Sequence, residues 1–273
     1  MNNFIQRSIT GSLFVLLIIF ILQLDNEWAH HALLAVITLG CMYEYNRLTH
    51  LQSRWLNMAS LFGVLLYVFA DLSYRDEYSL TGTMGLLMLI VFSLFLIRKE
   101  ESKDQLGLIF LGVAYIGFPM HAVHNLMYIP NLLLGTFLLV WTSDTGAYLS
   151  GKWLGKHKLM PHVSPGKTWE GLIGGMILTA AVAYGLSLWT KDANGMAVHF
   201  LNLSPQKAVF WGLGVAFFGT AGDLFESRLK REAGVKDSGS IFPGHGGFLD
   251  RFDAFLFAGL FTQTIFQGPL AIF

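Results

Sequence analysis

Acidic and basic side chains gather in one short stretch of an otherwise apolar chain, KDSGSIFPGHGGFLDRFD at residues 236–253. Charged residues make up 13% of the sequence, yet this stretch holds five of them with four glycines in eighteen positions. Glycine-rich turns can bind an anion through successive backbone N–H groups, and grouped carboxylates can bind Mg²⁺. The stretch therefore indicates a site for a polyphosphate and a divalent metal. A structural network of ion pairs between two helices explains the same composition equally well.

More charges precede this stretch in GTAGDLFESRLKRE. Four polar residues there share one face if the helix continues: Asp223, Glu226, Ser227 and Lys230. Asp250 and Asp253 are likewise one helical turn apart. Two such groups of acids could hold a pair of metals around a transferred phosphorus, although spacing alone does not select this reaction class.

Two further polar segments lie upstream, WTSDTGAY at 141–148 and SPGKTWEG at 164–171. Asp144 lies within or near the end of an apolar run, where an unpaired charge is costly; a helix cap or an interhelical hydrogen bond is the structural alternative. In the second segment we predict a Pro-Gly turn at 165–166, followed by a helix that starts near Glu170. Only Gly-Lys-Thr at 166–168 matches the Walker A pattern, so the motif is a weak indication of phosphate binding.

The elements that must position these residues are apolar helices. The chain is 53% hydrophobic, and a membrane-spanning helix needs roughly 20 mostly apolar residues. We predict an all-α, polytopic integral membrane protein with about nine transmembrane helices. The predicted spans are about 9–24, 28–43, 56–72, 80–97, 106–121, 131–149, 169–190, 207–222 and 254–272. Within one membrane domain, residues 1–130 form plain hydrophobic helices and residues 131–273 form the catalytic transmembrane part.

Lysine and arginine are concentrated in every second predicted loop. If the N-terminus is inside, the inner loops are 44–55, 98–105, 150–168 and 223–253. Arg75 and Lys191 are the only arginine and lysine residues in the outer loops. The positive-inside rule then predicts an N-inside, C-outside topology with both polar motif regions on the cytoplasmic face.

A specific resemblance runs through the C-terminal half. It comprises Ser227-Arg-Leu-Lys230-Arg231, Lys236-Asp237, Gly239, Phe242-Pro243, His245-Gly246-Gly247 and Asp250-Arg251-Phe252-Asp253. This pattern of 27 residues resembles the signature of the phosphatidate cytidylyltransferases, also called CDP-diacylglycerol synthases. WTSDTGAY and SPGKTWEG are similar to two further segments of that family, in the expected order. Elsewhere the chain resembles the family only in length and hydropathy.

The resemblance implies an enzyme of phospholipid biosynthesis, a nucleotidyltransferase. It would join CTP and phosphatidic acid to give CDP-diacylglycerol and pyrophosphate. It also implies Mg²⁺, in a two-metal site whose second ion is not identified. The implied partners are the two substrates, the lipid bilayer and a second copy in a homodimer, with no nucleic acid. The implied location is a bacterial inner (plasma) membrane, with the active site facing the cytoplasm.

The resemblance also implies roles for individual residues. The metal ligands would be Asp223 and Asp250 first, and Asp253, Asp237 and Asp144 after them. The triphosphate or the lipid phosphate would contact Lys230, Arg231, Lys236, Arg251, Ser164 and Lys167. Substrate binding would further involve Ser227, Gly246 and Gly247. His245 would donate a hydrogen bond to the leaving group or brace its glycine turn.

Two other functions compete with this one. A CTP-dependent polyprenol or dolichol kinase would use similar acids and bases, but would release CDP and a phosphorylated lipid. A transporter would place charges near the bilayer midplane, often in two repeated halves. The acids here crowd the cytoplasmic ends of late helices and the sequence has no internal repeat, which disfavours transport.

Overall fold

The fold was obtained as a computed structural model, which describes residues 15–24, 26–51, 53–69, 88–93, 97, 102–193, 196–199, 203–242 and 246–267. Most of these residues are helical. The helices are α1 (Glu27–Leu48), α2 (Arg54–Val68), α3 (Lys103–Gly112), a π-helical turn (Val113–Gly117), α4 (Phe118–Leu126), α5 (Pro130–Leu154), α6 (Trp169–Leu188), α7 (Pro205–Glu232) and α8 (Leu249–Phe266). Residues 15–22 and 88–93 are also helical.

Within the described residues, four helical segments are long and apolar enough to cross a membrane. They are Lys103–Leu126, which joins α3, the π-helical turn and α4, followed by α5, α6 and α7. They match the predicted spans 106–121, 131–149, 169–190 and 207–222, so the prediction of a mostly helical protein with long apolar helices is confirmed. The count of nine spans stays a prediction, because the spans at 9–24, 80–97 and 254–272 fall partly outside the described residues.

Two short antiparallel hairpins interrupt the helices, so the predicted all-α class needs correction. β1 (Lys158–Met160) pairs with β2 (Ser164–Thr168), and β3 (Thr190–Ala193) pairs with β4 (Met196–His199). Pro165 and Gly166 lie inside β2 rather than at a turn, and the chain reverses at residues 161–163. A two-stranded hairpin has only edge strands, so the missing N–H of Pro165 is tolerated there.

The chain forms two compact units. The first unit comprises Met1–His124 and Glu232–Phe252, and the second comprises Asn125–Arg231 and Asp253–Phe273. The motif residues are therefore divided between them. The stretch 236–251 belongs to the first unit, whereas 144, 164–168, 223–231 and 253 belong to the second.

Polar contacts tie the helices of the first unit together. The Asn46 amide of α1 donates to Ser60 Oγ of α2 at 2.8 Å, and both side chains are buried. The Tyr45 hydroxyl donates to the carbonyl of Leu108 in α3 at 2.8 Å. Because each contact satisfies a polar group away from water, it fixes how α1 packs against its neighbours.

Small residues bring the helices of the second unit into close contact. A Cβ added to Gly146 of α5 would lie 3.1 Å from the Cα of Gly175 in α6, so the two backbones touch. Such contacts are typical of membrane helices, which associate through close packing. The outer side of α6 instead exposes Ile173 and Ile177, at 53% and 64%. Exposed aliphatic side chains of this kind suit contact with lipid.

Candidate active site

A cavity of about 490 Å³ opens in the second unit. α5, the first hairpin, α6 and α7 all contribute to its lining, and four of the lining residues carry charge: Asp144, Lys152, Lys167 and Asp223. The remaining lining includes Ala147, Leu159 and Leu172, so charged groups face apolar walls. The volume lies within the range of small-molecule sites.

An ion pair joins the two motif segments that line this cavity. Lys167 Nζ lies 2.5 Å from Asp223 Oδ2, and the side chains are 25% and 31% exposed. Ser227 Oγ donates to Asp223 Oδ1 at 3.2 Å. Asp223 therefore uses both oxygens, one toward the lysine side chain and one toward a neighbour on its own helix.

α7 continues to Glu232, which confirms that Asp223, Glu226, Ser227 and Lys230 lie on one helix at the predicted spacing. The buried Glu226 carboxylate accepts from Lys230 Nζ at 2.5 Å. Arg231 Nε donates to the carbonyl of Val163, in the turn of the first hairpin, at 3.2 Å. Both predicted phosphate-binding cations thus contact groups of the protein itself.

Asp253 brings a further carboxylate to this group. Its Oδ1 accepts from the N–H of Ala254 at 2.8 Å, at the start of α8 and before its apolar part. Burial, followed by the negative charges of Asp223, Glu226 and Asp144, raises the pKa of the Asp253 carboxyl. We refer to these four acids, Asp144, Asp223, Glu226 and Asp253, as the carboxylate cluster.

The carboxylate cluster offers only oxygen donors, the ligands that Mg²⁺ prefers. Over the described part of the chain, no group of three or more His, Cys, Asp or Glu side chains is arranged to hold a metal ion. Mg²⁺ usually takes one or two protein carboxylates and completes its shell with water and substrate phosphates. The donor set therefore fits a metal that binds together with a phosphorylated ligand.

In the first unit, Asp250 organises the described residues of the stretch 236–250, namely 236–242 and 246–250, which we call the signature loop. Its Oδ2 accepts from Ser238 N, Ser238 Oγ and Gly247 N, each at 2.8 Å. The N–H of Phe242 also donates to the carbonyl of Gly246 at 2.9 Å, which closes a turn within the loop. His245 lies outside the described residues.

The two glycines predicted to bind substrate are packed against carboxylates. Gly246 has a φ of +81°, and a Cβ there would overlap the Asp250 carboxylate. A Cβ at Gly247 would overlap the carboxylate of Glu44. Both positions therefore need glycine for close approach within the loop.

Glu44, on α1, is the residue that sequence reasoning missed. It is 1% exposed. Its Oε1 accepts from Phe248 N at 3.0 Å, and its Oε2 accepts from Leu249 N at 2.9 Å and from Ser238 Oγ at 2.7 Å. An acid directly after the predicted span 28–43 was the available signal, since acids at the ends of membrane helices often have a function.

The remaining predicted residues lie apart from these contacts. Lys236, Asp237 and Arg251 expose their side chains in the first unit, and Ser164 is half-buried in β2. The structure thus gathers Asp144, Lys167, Asp223 and Asp253 in the second unit. In the first unit it gathers Gly246, Gly247 and Asp250 around Ser238.

Comparison with known proteins adds an independent line of evidence. Residues 5–268 match the Cytidylyltransferase family. The chain is 33% identical over 264 residues to the phosphatidate cytidylyltransferase of Bacillus subtilis (strain 168), covering 92% of this chain and 93% of that protein. It is 34% identical over 186 residues to the enzyme of the same name from Staphylococcus saprophyticus, covering 68% of each chain. It is 43% identical over 150 residues to that of Staphylococcus aureus (strain COL), covering 54% of this chain and 52% of that one. The charged cavity, the glycine-rich signature loop and the apolar helices thus occur in a chain that belongs to the cytidylyltransferase family.

Proposed function

We propose that this chain is a phosphatidate cytidylyltransferase of the membrane, which transfers the cytidylyl group of CTP to phosphatidic acid. The observation that carries this proposal is the similarity to the Bacillus subtilis phosphatidate cytidylyltransferase over 92% of this chain. The apolar helices support it, because one substrate is a lipid. No specific observation favours the lipid kinase or the transporter.

The reaction is a displacement at phosphorus. A phosphate oxygen of phosphatidic acid forms a bond to the α-phosphorus of CTP. The bond from that phosphorus to the bridging oxygen breaks, and pyrophosphate leaves with the electron pair. Both reactants are anionic, so catalysis consists mainly of positioning and charge neutralisation.

The cavity of the second unit supplies groups for this task. Lys152 and Lys167 line it and would neutralise phosphate charge. Asp223 pairs with the side chain of Lys167, and a lysine side chain can move away more readily than a backbone group. We infer that an incoming triphosphate takes over the contacts of Lys167 and frees an oxygen of Asp223.

Mg²⁺, when bound, would neutralise charge on the triphosphate. Asp223, together with either Asp144 or Asp253, would hold it, because Mg²⁺ takes one or two protein carboxylates and these acids lie within one another's electrostatic field. For Asp250, the three donors on Oδ2 favour a role in ordering the signature loop over metal binding by that oxygen. The second metal and the homodimer remain predictions.

The nine-span, N-inside topology remains our proposal for the whole chain. It rests on the loop distribution of lysine and arginine. In this topology both motif regions face the cytoplasm, where CTP is available. Phosphatidic acid would reach the site from the inner leaflet, between apolar helices.

Product analysis with position-specific labels tests the proposed function. The purified protein is incubated with phosphatidic acid, Mg²⁺ and CTP labelled at either the α- or the γ-phosphorus. We expect the α-label in a CDP-lipid and the γ-label in pyrophosphate. Transfer of the γ-label to lipid would indicate a kinase, and no labelled lipid under any metal would overturn the proposal.

A further inference from the structure

Glu44 lies on α1, about 200 residues from the signature loop in sequence, yet within the described part of the chain its side-chain hydrogen bonds go to that loop. Its partners are Ser238, Phe248 and Leu249. Neither the family signature at 227–253 nor the two upstream segments include it. A buried charge is costly unless hydrogen-bond donors compensate for it, so its contacts with the loop need an explanation.

Backbone N–H groups donate to both carboxylate oxygens of Glu44. Phe248 N and Leu249 N are the first N–H groups at the start of α8, which have no carbonyl partner within their own helix. A negative charge at this position also complements the helix dipole. Glu44 therefore acts as a cap for α8 that is supplied by another helix.

Ser238 connects Glu44 to Asp250. Its Oγ lies 2.7 Å from Glu44 Oε2 and 2.8 Å from Asp250 Oδ2, so the two carboxylates share the single proton of one hydroxyl. A Cβ at either Gly239 or Gly247 would overlap Glu44. The loop backbone is thus closed around this carboxylate and has little room for another arrangement.

We propose that Glu44 is a positioning residue for the cytidylyl transfer reaction, acting through Ser238, Phe248 and Leu249 on the signature loop. This inference rests on the proposed function only for its effect on turnover. Glu44 touches no reacting atom in this role. It holds in one conformation the loop that carries Lys236 and Asp237, together with the start of α8, where Arg251 lies.

The kinetic test compares Glu44→Gln with Asn46→Ala. Glutamine keeps the size of glutamate but places an N–H₂ group against N–H or O–H donors, which leaves at least one donor unsatisfied. Asn46 lies two residues away on α1, is also buried, and bonds Ser60 rather than the loop. We expect Glu44→Gln to lower kcat about 10- to 100-fold, the usual cost of removing an orienting group. Asn46→Ala should lower the melting temperature while the folded protein keeps wild-type kcat.

Hydrogen exchange supplies a readout that needs no turnover. In Glu44→Gln, amide exchange should accelerate in 238–242 and 246–250 while α5 and α6 keep wild-type rates. In Asn46→Ala, exchange in those loop segments should stay at the wild-type rate. A simple loss of global stability would instead accelerate exchange throughout the chain.

The outcomes separate the two proposals. Wild-type kcat in folded Glu44→Gln would overturn the positioning role, whether or not loop exchange changes. Equal losses of kcat in Glu44→Gln and Asn46→Ala would also overturn it, because they would reflect stability alone. If the wild-type protein makes no CDP-lipid, the proposed function fails, while local loop exchange in Glu44→Gln still shows whether Glu44 orders the loop.

Discussion

Two carboxylates of the first unit and two of the second meet different kinds of partner. In the first unit, Glu44 and Asp250 accept from backbone N–H groups and from the Ser238 hydroxyl. In the second, Asp223 and Glu226 pair with the side chains of Lys167 and Lys230. Backbone donors cannot leave without unfolding the loop, whereas a lysine side chain can change rotamer. The comparison indicates that the first unit uses carboxylates to fix structure, and the second holds carboxylates that can exchange partners during a reaction.

The largest expected effect is on turnover, and it concerns a carboxylate of the second unit that can exchange its partner. Asp223→Asn should lower kcat about 100-fold or more, because it removes a charge proposed to act on the triphosphate and its metal. The melting temperature should stay near that of the wild type, since Asp223 is partly exposed. Product formation and thermal unfolding of purified protein measure the two effects.

Asp250→Asn is the matched variant in the first unit. This variant should lower both turnover and melting temperature. The neutral asparagine amide cannot replace the carboxylate without weakening or losing some of the three hydrogen bonds that Oδ2 accepts. If the two aspartate variants show the same stability and the same activity, the distinction between the units is wrong.

The next effect concerns the partner of Asp223. Lys167→Met removes the charge but keeps an extended side chain, and should raise the KM for CTP about 10-fold or more by weakening phosphate binding. Lys158→Ala on β1 is the control, because Lys158 is exposed on the same hairpin and does not line the cavity. A Lys167→Met variant with wild-type KM would remove this lysine from the proposed site.

A smaller effect, on stability, tests the packing around the carboxylates of the first unit. Gly247→Ala should reduce the free energy of unfolding by about 1–3 kcal/mol, because the new methyl group overlaps Glu44 and the loop must shift. Gly107→Ala on α3 is the control in the same unit, since a Cβ there meets nothing within 4 Å. Thermal unfolding in detergent compares the two. Equal stability of both variants would contradict the tight packing around Glu44.

The smallest effect concerns metal binding. With at most a few carboxylates to hold it, Mg²⁺ alone should barely change the melting temperature. Mg²⁺ and CTP together should raise it, because a ligand that binds only the folded state stabilises by mass action. Ca²⁺ without nucleotide serves as the control for a nonspecific ionic effect. A large stabilisation by Mg²⁺ alone would indicate a preformed metal site instead.

Local patterns in the sequence predicted much of this arrangement. The i, i+3, i+4 spacing correctly placed Asp223, Glu226, Ser227 and Lys230 on one continuous helix, because helical geometry depends only on near neighbours. Hydropathy likewise located four apolar helices. Both are properties of a short window, which a single sequence reports directly.

Local patterns could not predict contacts between segments that are distant in the sequence. Glu44 and Leu249 are 205 residues apart, and no periodicity links an acid on α1 to N–H groups of a loop. Pro165 and Gly166 predicted a turn from their local preference. Pairing with β1 placed them in a strand instead, since the partner strand decides the conformation there.

The length of α7 has a consequence for where the reaction takes place. Its 28 residues extend about 42 Å, roughly 12 Å more than a bilayer hydrocarbon core. Residues 205–222 carry a single charge, Lys207, whereas 223–232 carry six. The surplus length is therefore the charged end, which would stand at the depth of the phospholipid headgroups. A lipid substrate could react there with its acyl chains still in the leaflet, and the product would remain at the same depth.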